Sequence, residues 1–182
     1  MEFSNFFSQI VSFPILISHI LIIPIIFYAF FIEKRDNHSF YLFLKKRGLL
    51  ILFLISLVAT LGSLIYSSVI GFDPCVLCIW QRIFLFPQVI ILAIALKKKY
   101  SGIVDYLIPL TIIGGIIALY HVYISLGFNQ LGIPCGANPG ETSCLIQYVN
   151  EFGYITIPVM SLTVYAYILA LQIFIKKQLN KA

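Results

Sequence analysis

Apolar residues fall in five long runs along this chain, near 9–31, 49–70, 79–96, 103–127 and 154–175. Short polar or basic stretches separate them. Each run is close to the roughly 20 apolar residues that cross a hydrocarbon core as a helix. The longest connections, 32–48 and 128–153, leave no room for a soluble domain. The pattern predicts an all-α membrane protein, a single integral membrane domain over 1–182 with five spans. Pro14, Pro24, Pro87, Pro109 and Pro158 lie inside spans. Membrane helices tolerate proline when neighbours satisfy the freed carbonyl, so kinks are expected there. Gly114-Gly115 allows close helix contact. The connection 128–153 holds Gly132, Pro134, Gly136, Pro139 and Gly140. It reads as an irregular loop with a short interfacial helix from Cys144 to Phe152. Trp80, Tyr120, Tyr123, Tyr148 and Tyr154 sit where interfacial rings are enriched.

Composition supports bilayer as the solvent. The chain is 60% hydrophobic and 10% charged, against about 25% charged in ordinary soluble domains. The net charge is +5, and its distribution gives it a meaning. Lys34, Arg35, Lys45, Lys46 and Arg47 lie in the first connection, Lys97, Lys98 and Lys99 in the third, and Lys176, Lys177 and Lys181 in the tail. With five alternating crossings, these eleven of the twelve basic residues share one side. Positive residues stay cytoplasmic, so the expected orientation is N-out and C-in. Three short separate basic blocks without an aromatic-interleaved groove disfavour nucleic acid as a partner. Residues 1–8 carry Glu2 and no Lys or Arg, and the first run has about 23 residues with no small-residue cleavage site after it. It reads as an uncleaved span.

Four cysteines flank the runs, all on the predicted outer side. Cys75 and Cys78 form a tight pair preceded by Asp73-Pro74. Asp is a good N-cap and Pro favours the first helical position, so the third span is expected to start there. A helix N-terminus stabilises a thiolate. Arg82 follows Cys78 by four residues and shares its helix face. The alternative role for Arg82 is a snorkelling headgroup anchor, although an ionisable residue within a span is a functional candidate by default. Cys135 and Cys144 enclose a turn at Asn138-Pro139-Gly140. They could staple the loop, or exchange a disulfide with the first pair by thiolate attack. All four could instead ligate zinc, but an oxidising compartment favours disulfides and this spacing is unusual for structural zinc.

Pro74-Cys75-Val76-Leu77-Cys78-Ile79-Trp80-Gln81-Arg82 resembles the first outer motif of the disulfide-bond formation protein B family, DsbB, including its BdbC branch. Ala118-Leu119-Tyr120-His121-Val122-Tyr123 and Phe152-Gly153-Tyr154-Ile155-Thr156-Ile157-Pro158 resemble the end of one span and the start of the last. The resemblance covers about 49–175. It implies a four-helix transmembrane bundle, to which 9–31 adds an N-terminal helix. It implies a bacterial inner-membrane protein thiol:quinone oxidoreductase that works with a soluble DsbA-like thioredoxin-fold oxidase. In that scheme the reduced partner attacks Cys135, the freed Cys144 attacks Cys75, and Cys78 is released as a thiolate beside Arg82. The electrons pass to ubiquinone or menaquinone, with Arg82 and His121 supporting the quinone. His121 could also be a hydrogen-bonded histidine between helices, which is the expected role of His19; His38, in a connection, carries no chemistry.

Two departures stand out. The first span is extra, and the ten-residue loop from Cys135 to Cys144 is much shorter than in Gram-negative members. That loop has little slack, which makes transfer from Cys144 to Cys75 the least secure step. Energetics also constrain the outer pair. Ordinary structural disulfides lie below about −300 mV and DsbA-type oxidants near −120 mV, a gap of about 8 kcal/mol for two electrons. A relaxed staple could not oxidise such a partner. Two alternatives remain: a vitamin-K-epoxide-reductase-like enzyme, in which the loop cysteines precede the CxxC, and a non-enzymatic membrane protein with two structural disulfides.

Overall fold

A computed structural model describes residues 2–32, 39–128, 135 and 143–179. Five α-helices account for most of them: α1 (Glu2–Ile32), α2 (Ser39–Leu64), α3 (Val76–Lys98), α4 (Val104–Ser125) and α5 (Ile157–Leu179). A π-helical turn, Ile65–Val69, extends α2, and a 3-10 turn, Ser101–Ile103, leads into α4. Four segments are long and apolar enough to cross a membrane: Lys46–Val69, Val76–Lys98, Ser101–Ser125 and Ile157–Leu179. The described side chains of α1 add the apolar stretch Phe6–Ile20. α2 starts ten residues before the predicted 49, because the helix continues through the basic cluster at 45–47. His38 lies outside the described residues.

Helices α2 to α5 pack around an apolar core that includes Leu52, Leu85, Leu92, Val104, Leu107, Tyr165 and Ile168. Within it sits a polar layer. Gln88 Oε1 accepts hydrogen bonds from Thr111 Oγ1 at 3.0 Å and from Gln172 Nε2 at 3.3 Å, tying α3 to α4 and α5. In bilayer such bonds act as interhelical glue. The basic helix ends lie far from the cysteines along the bundle. α3 and α5 both begin at the cysteine end and finish on Lys97-Lys98 and Lys176-Lys177. There Lys176 pairs with Asp105 at 3.1 Å. α1 docks on α5: His19 Nε2 meets Thr163 Oγ1 at 2.8 Å, His19 Nδ1 meets Tyr154 OH at 3.2 Å, and Tyr167 OH donates to Ser18 O at 2.9 Å. His19 is therefore an inter-helix tie, as its position in the sequence implies.

At Gly114 α4 comes close to α5, since a Cβ there would overlap the Tyr165 ring. Gly115 is looser, with Tyr165 Cβ at 3.7 Å from a Cβ added there. The Tyr165 hydroxyl donates to Gln81 O at 2.7 Å, so this ring braces α3 at the functional end. Gly114→Ala is expected to destabilise the bundle by about 1–3 kcal/mol, the usual scale of overpacking. Gly115→Ala should stay within about 0.5 kcal/mol. Thermal unfolding in detergent compares the two.

Two local expectations are corrected. α3 does not start at Asp73-Pro74: its N-cap is Cys75 (φ −69°, ψ 166°), whose carbonyl takes the first helical N–H, from Ile79 at 3.1 Å. Asp73 precedes proline, which disfavours helical geometry at that residue. Nor is there a helix from Cys144 to Phe152; that segment is turns and bends. Gln147 Nε2 donates to Ser125 O at 2.8 Å, and Glu151 N and Ile155 O pair at 3.0 Å. Phe152 (φ 54°) and Gly153 (φ 78°) are both left-handed, which turns the chain into α5.

Candidate redox site

The cysteines converge at one end of the bundle. Cys135 and Cys144 form a disulfide, with Cα atoms 5.7 Å apart. Cys75 and Cys78 are thiols whose sulfurs share one S–H···S hydrogen bond at 3.2 Å. The Cys75 sulfur also lies within 4.8 Å of both Cys135 and Cys144 sulfurs. The short outer loop therefore already places its disulfide against the inner pair. Cys75 and Cys144 are buried together with Ile124, and Tyr120 and Tyr123 pack around them.

His121 arrives from α4. Its Nε2 is 3.6 Å from Cys75 Sγ and its Nδ1 is 3.2 Å from Gln81 Nε2. Gln81 is fixed in turn, because its Oε1 accepts the Ser161 hydroxyl at 2.6 Å. A Gln81 amide that donates to Nδ1 leaves the ring proton on Nε2, facing the Cys75 sulfur. His121 is thus a buried histidine bonded between helices, with its Nε2 against the Cys75 sulfur. Neither Gln81 nor Ser161 is apparent as a site residue in the sequence. The available signal was a polar residue beside Arg82 in an apolar helix.

Arg82 shares the cavity with both thiols but is held by α2. Its Nε donates to Ser63 Oγ at 2.8 Å and its Nη2 to Ser63 O at 2.9 Å. Ser63 lies two residues before the π turn, where the ladder shifts to the Ile70 N to Ile65 O bond at 3.0 Å. Such turns recur at functional sites because they re-aim a helix. Among the described residues Arg82 makes no salt bridge, so its charge stays directed at the cavity. The cavity measures about 540 Å³. Apolar side chains dominate its walls, and Cys75, Cys78, Gln81, Arg82 and His121 form its polar end.

Cys75 lies just outside the spanning helix, and its thiol is held well below the ordinary thiol range. The hydrogen bond shared with Cys78 is the main cause; burial opposes it, and the His121 hydrogen bond and charge add to it. These contacts favour the Cys75 thiolate when both inner sulfurs are reduced. Groups that hold the thiolate lower its pKa, so deleting them raises it. Iodoacetamide labelling of Cys75 in the reduced chain should stay fast below neutral pH. Cys78→Ala should move the labelling midpoint up toward about 8.5, the free-thiol value, and His121→Leu should move it up less. Peptide mass spectrometry across a pH series reads both.

A bundle of membrane-crossing helices that brings two cysteine pairs into sulfur contact defines a membrane thiol–disulfide oxidoreductase. The chain belongs to the family of the disulfide bond formation protein DsbB, whose profile matches residues 45–175. It is 45% identical over 109 residues to the probable disulfide formation protein C 1 of Bacillus cereus, covering 59% of this chain and 76% of that one. It is 42% identical over 135 residues to the SPbeta prophage-derived disulfide bond formation protein B of Bacillus subtilis, covering 73% and 89%. The disulfide bond formation protein C of Bacillus subtilis is 35% identical over 130 residues, covering 67% and 87%. No solved structure matches the chain. It is accordingly a multi-pass bacterial membrane protein of disulfide formation.

Proposed function

We propose that this chain reoxidises a soluble DsbA-like thioredoxin-fold oxidase and passes the electrons to a membrane quinone, ubiquinone or menaquinone. The observation that carries the reading is the continuous path of sulfurs, from Cys135–Cys144 through Cys75 to Cys78, ending in a cavity with one cation. A thiolate of the reduced partner attacks Cys135 and displaces Cys144. The partner's second thiol then attacks the mixed disulfide, leaving a partner disulfide and a Cys135/Cys144 dithiol. Cys144 attacks Cys75 of the inner disulfide and releases Cys78; Cys135 closes on Cys144, leaving both inner sulfurs reduced. Each exchange moves two electrons and conserves sulfur bonds.

The cavity suits a quinone. Its volume falls in the range of ligand pockets, about 300–1,000 Å³, mostly apolar with a few convergent polar groups. Arg82 would hold a ring oxygen, His121 would lie beside the ring through its contact with Cys75, and the apolar walls would hold the rest. A quinone bound there supplies the two-electron, two-proton sink that regenerates the inner disulfide. Arg82 contributes fixed positive charge, His121 keeps a proton beside Cys75, and the buried setting keeps water from the thiolate.

Orientation follows from charge. The basic helix ends lie opposite the cysteines, so positive-inside placement puts the cysteines on the extracytoplasmic side of the cytoplasmic membrane, with the N-terminus outside. The partner is then met in an oxidising compartment. The test is reconstitution of the full chain with quinone and a reduced thioredoxin-fold partner, followed by quinol absorbance. Quinol should form stoichiometrically with oxidised partner. Absence of quinol, or full turnover by Cys78→Ser, would sink the reading.

A further inference from the structure

The family match begins at residue 45, so α1 lies outside it. Yet α1 is part of the cavity wall, through Phe7, Ile10, Val11 and Pro14. Val58, Leu61 and Gly62 of α2 line the same cavity. The two helices touch near the cysteine end, where the Phe7 and Tyr66 rings meet edge-on at 5.1 Å and Tyr66 OH donates to Ser8 Oγ at 3.5 Å. From there α1 follows α5 through His19 and Ser18. Between α1 and α2 the wall is open to the surroundings: Ile10, Val58 and Leu61 line the cavity and yet are 51%, 67% and 49% exposed. A Cβ at Gly62 would meet nothing within 4 Å.

Wall residues that line a cavity and still keep about half or more of their surface exposed mark an opening. It lies within membrane-crossing length of α2, so what meets it is lipid. The polar end of the cavity is at the cysteines and the opening is apolar throughout, which fits a ligand with a polar ring and a hydrocarbon tail. We propose that the seam between α1 and α2 is the lateral opening of the redox cavity, and that α1 is an added wall that grips the lipophilic tail of the electron acceptor. The inference rests on the quinone reading above and adds the element that sets acceptor selectivity. The four-helix core alone would leave this side of the cavity without Phe7, Ile10, Val11 and Pro14.

Direct binding tests it. The full chain in detergent is equilibrated with two radiolabelled quinones of the same ring, one carrying a short isoprenoid tail and one without. Gly62→Trp and Ile10→Trp fill the seam from opposite sides. Each should raise the dissociation constant of the tailed quinone about tenfold, the scale of losing roughly two buried methylenes, and that of the tail-less quinone less than about twofold. A photoreactive group on the tail should label the stretch Phe6–Ile20. A Cβ at Gly62 meets open space, and Gly62→Leu gives a smaller change in the same direction if Trp does not fold. Equal weakening of both quinones, no weakening, or labelling confined to α3 and α4 overturns the inference while leaving the quinone reading standing. If the unaltered chain binds neither quinone, the quinone reading itself fails and takes this inference with it.

Discussion

Cys75→Ser should reduce steady-state oxidation of the thioredoxin-fold partner by about three orders of magnitude or more, the scale of removing an obligatory nucleophile. The loss should leave a signature. The Cys135–Cys144 disulfide remains intact in this variant, so each chain should oxidise one partner molecule and then stop. Rapid-quench thiol trapping reads the burst, and the later rate reads the loss. The expectation follows from position: Cys75 is the sulfur that lies within 4.8 Å of both outer cysteines and hydrogen-bonds Cys78 at 3.2 Å. In the proposed path every electron that crosses between the pairs passes through it. Continued turnover by Cys75→Ser would mean that the outer pair acts alone and that the contact is only packing.

Arg82→Leu should act at the other end of the path. Removing a positioned donor from a water-poor site usually costs about 10²–10³ in rate, and kcat/KM for quinone should fall on that scale. The first exchange with the partner, which precedes the acceptor, should proceed. Arg82→Lys should fall between, because an ammonium cannot reproduce the two-pronged contact with Ser63 Oγ and Ser63 O. The comparison separates charge from geometry. A kcat/KM for quinone unchanged in Arg82→Leu would reduce Arg82 to a tether between α3 and α2.

The four membrane-crossing helices of the core were legible from apolar runs, because hydrophobic length is a local property. So was the placement of both cysteine pairs at one end, which follows from counting crossings. The ends of elements were less legible. Asp73-Pro74 carries a strong helix-start signal, but the backbone waits until Cys75 to begin the helix. Cys144 to Phe152 has helix-compatible residues, but contacts from Ser125 and Ile155 hold it in turns. The polar side chains that position the site were not legible as a group. Ser63, Gln81, His121 and Ser161 are far apart in sequence, on α2, α3, α4 and α5, and reach one site only because these four helices pack together. The opposite error concerned the outer loop. Its shortness looked like an obstacle, because reach along a chain is all that sequence reveals; in the fold the loop is anchored where Cys144 already touches Cys75.

That anchoring changes what the loop has to do. A disulfide on a long tether must search for its target, and the exchange rate then depends on tether length and solvent friction. Here the sulfurs are held within 4.8 Å of one another, so the inner pair meets the outer one at a fixed and high effective molarity. Travel drops out of the reaction coordinate. The loop is left with one geometric duty, presenting Cys135 to a docking partner, and its ten residues are a matter of display rather than of stride.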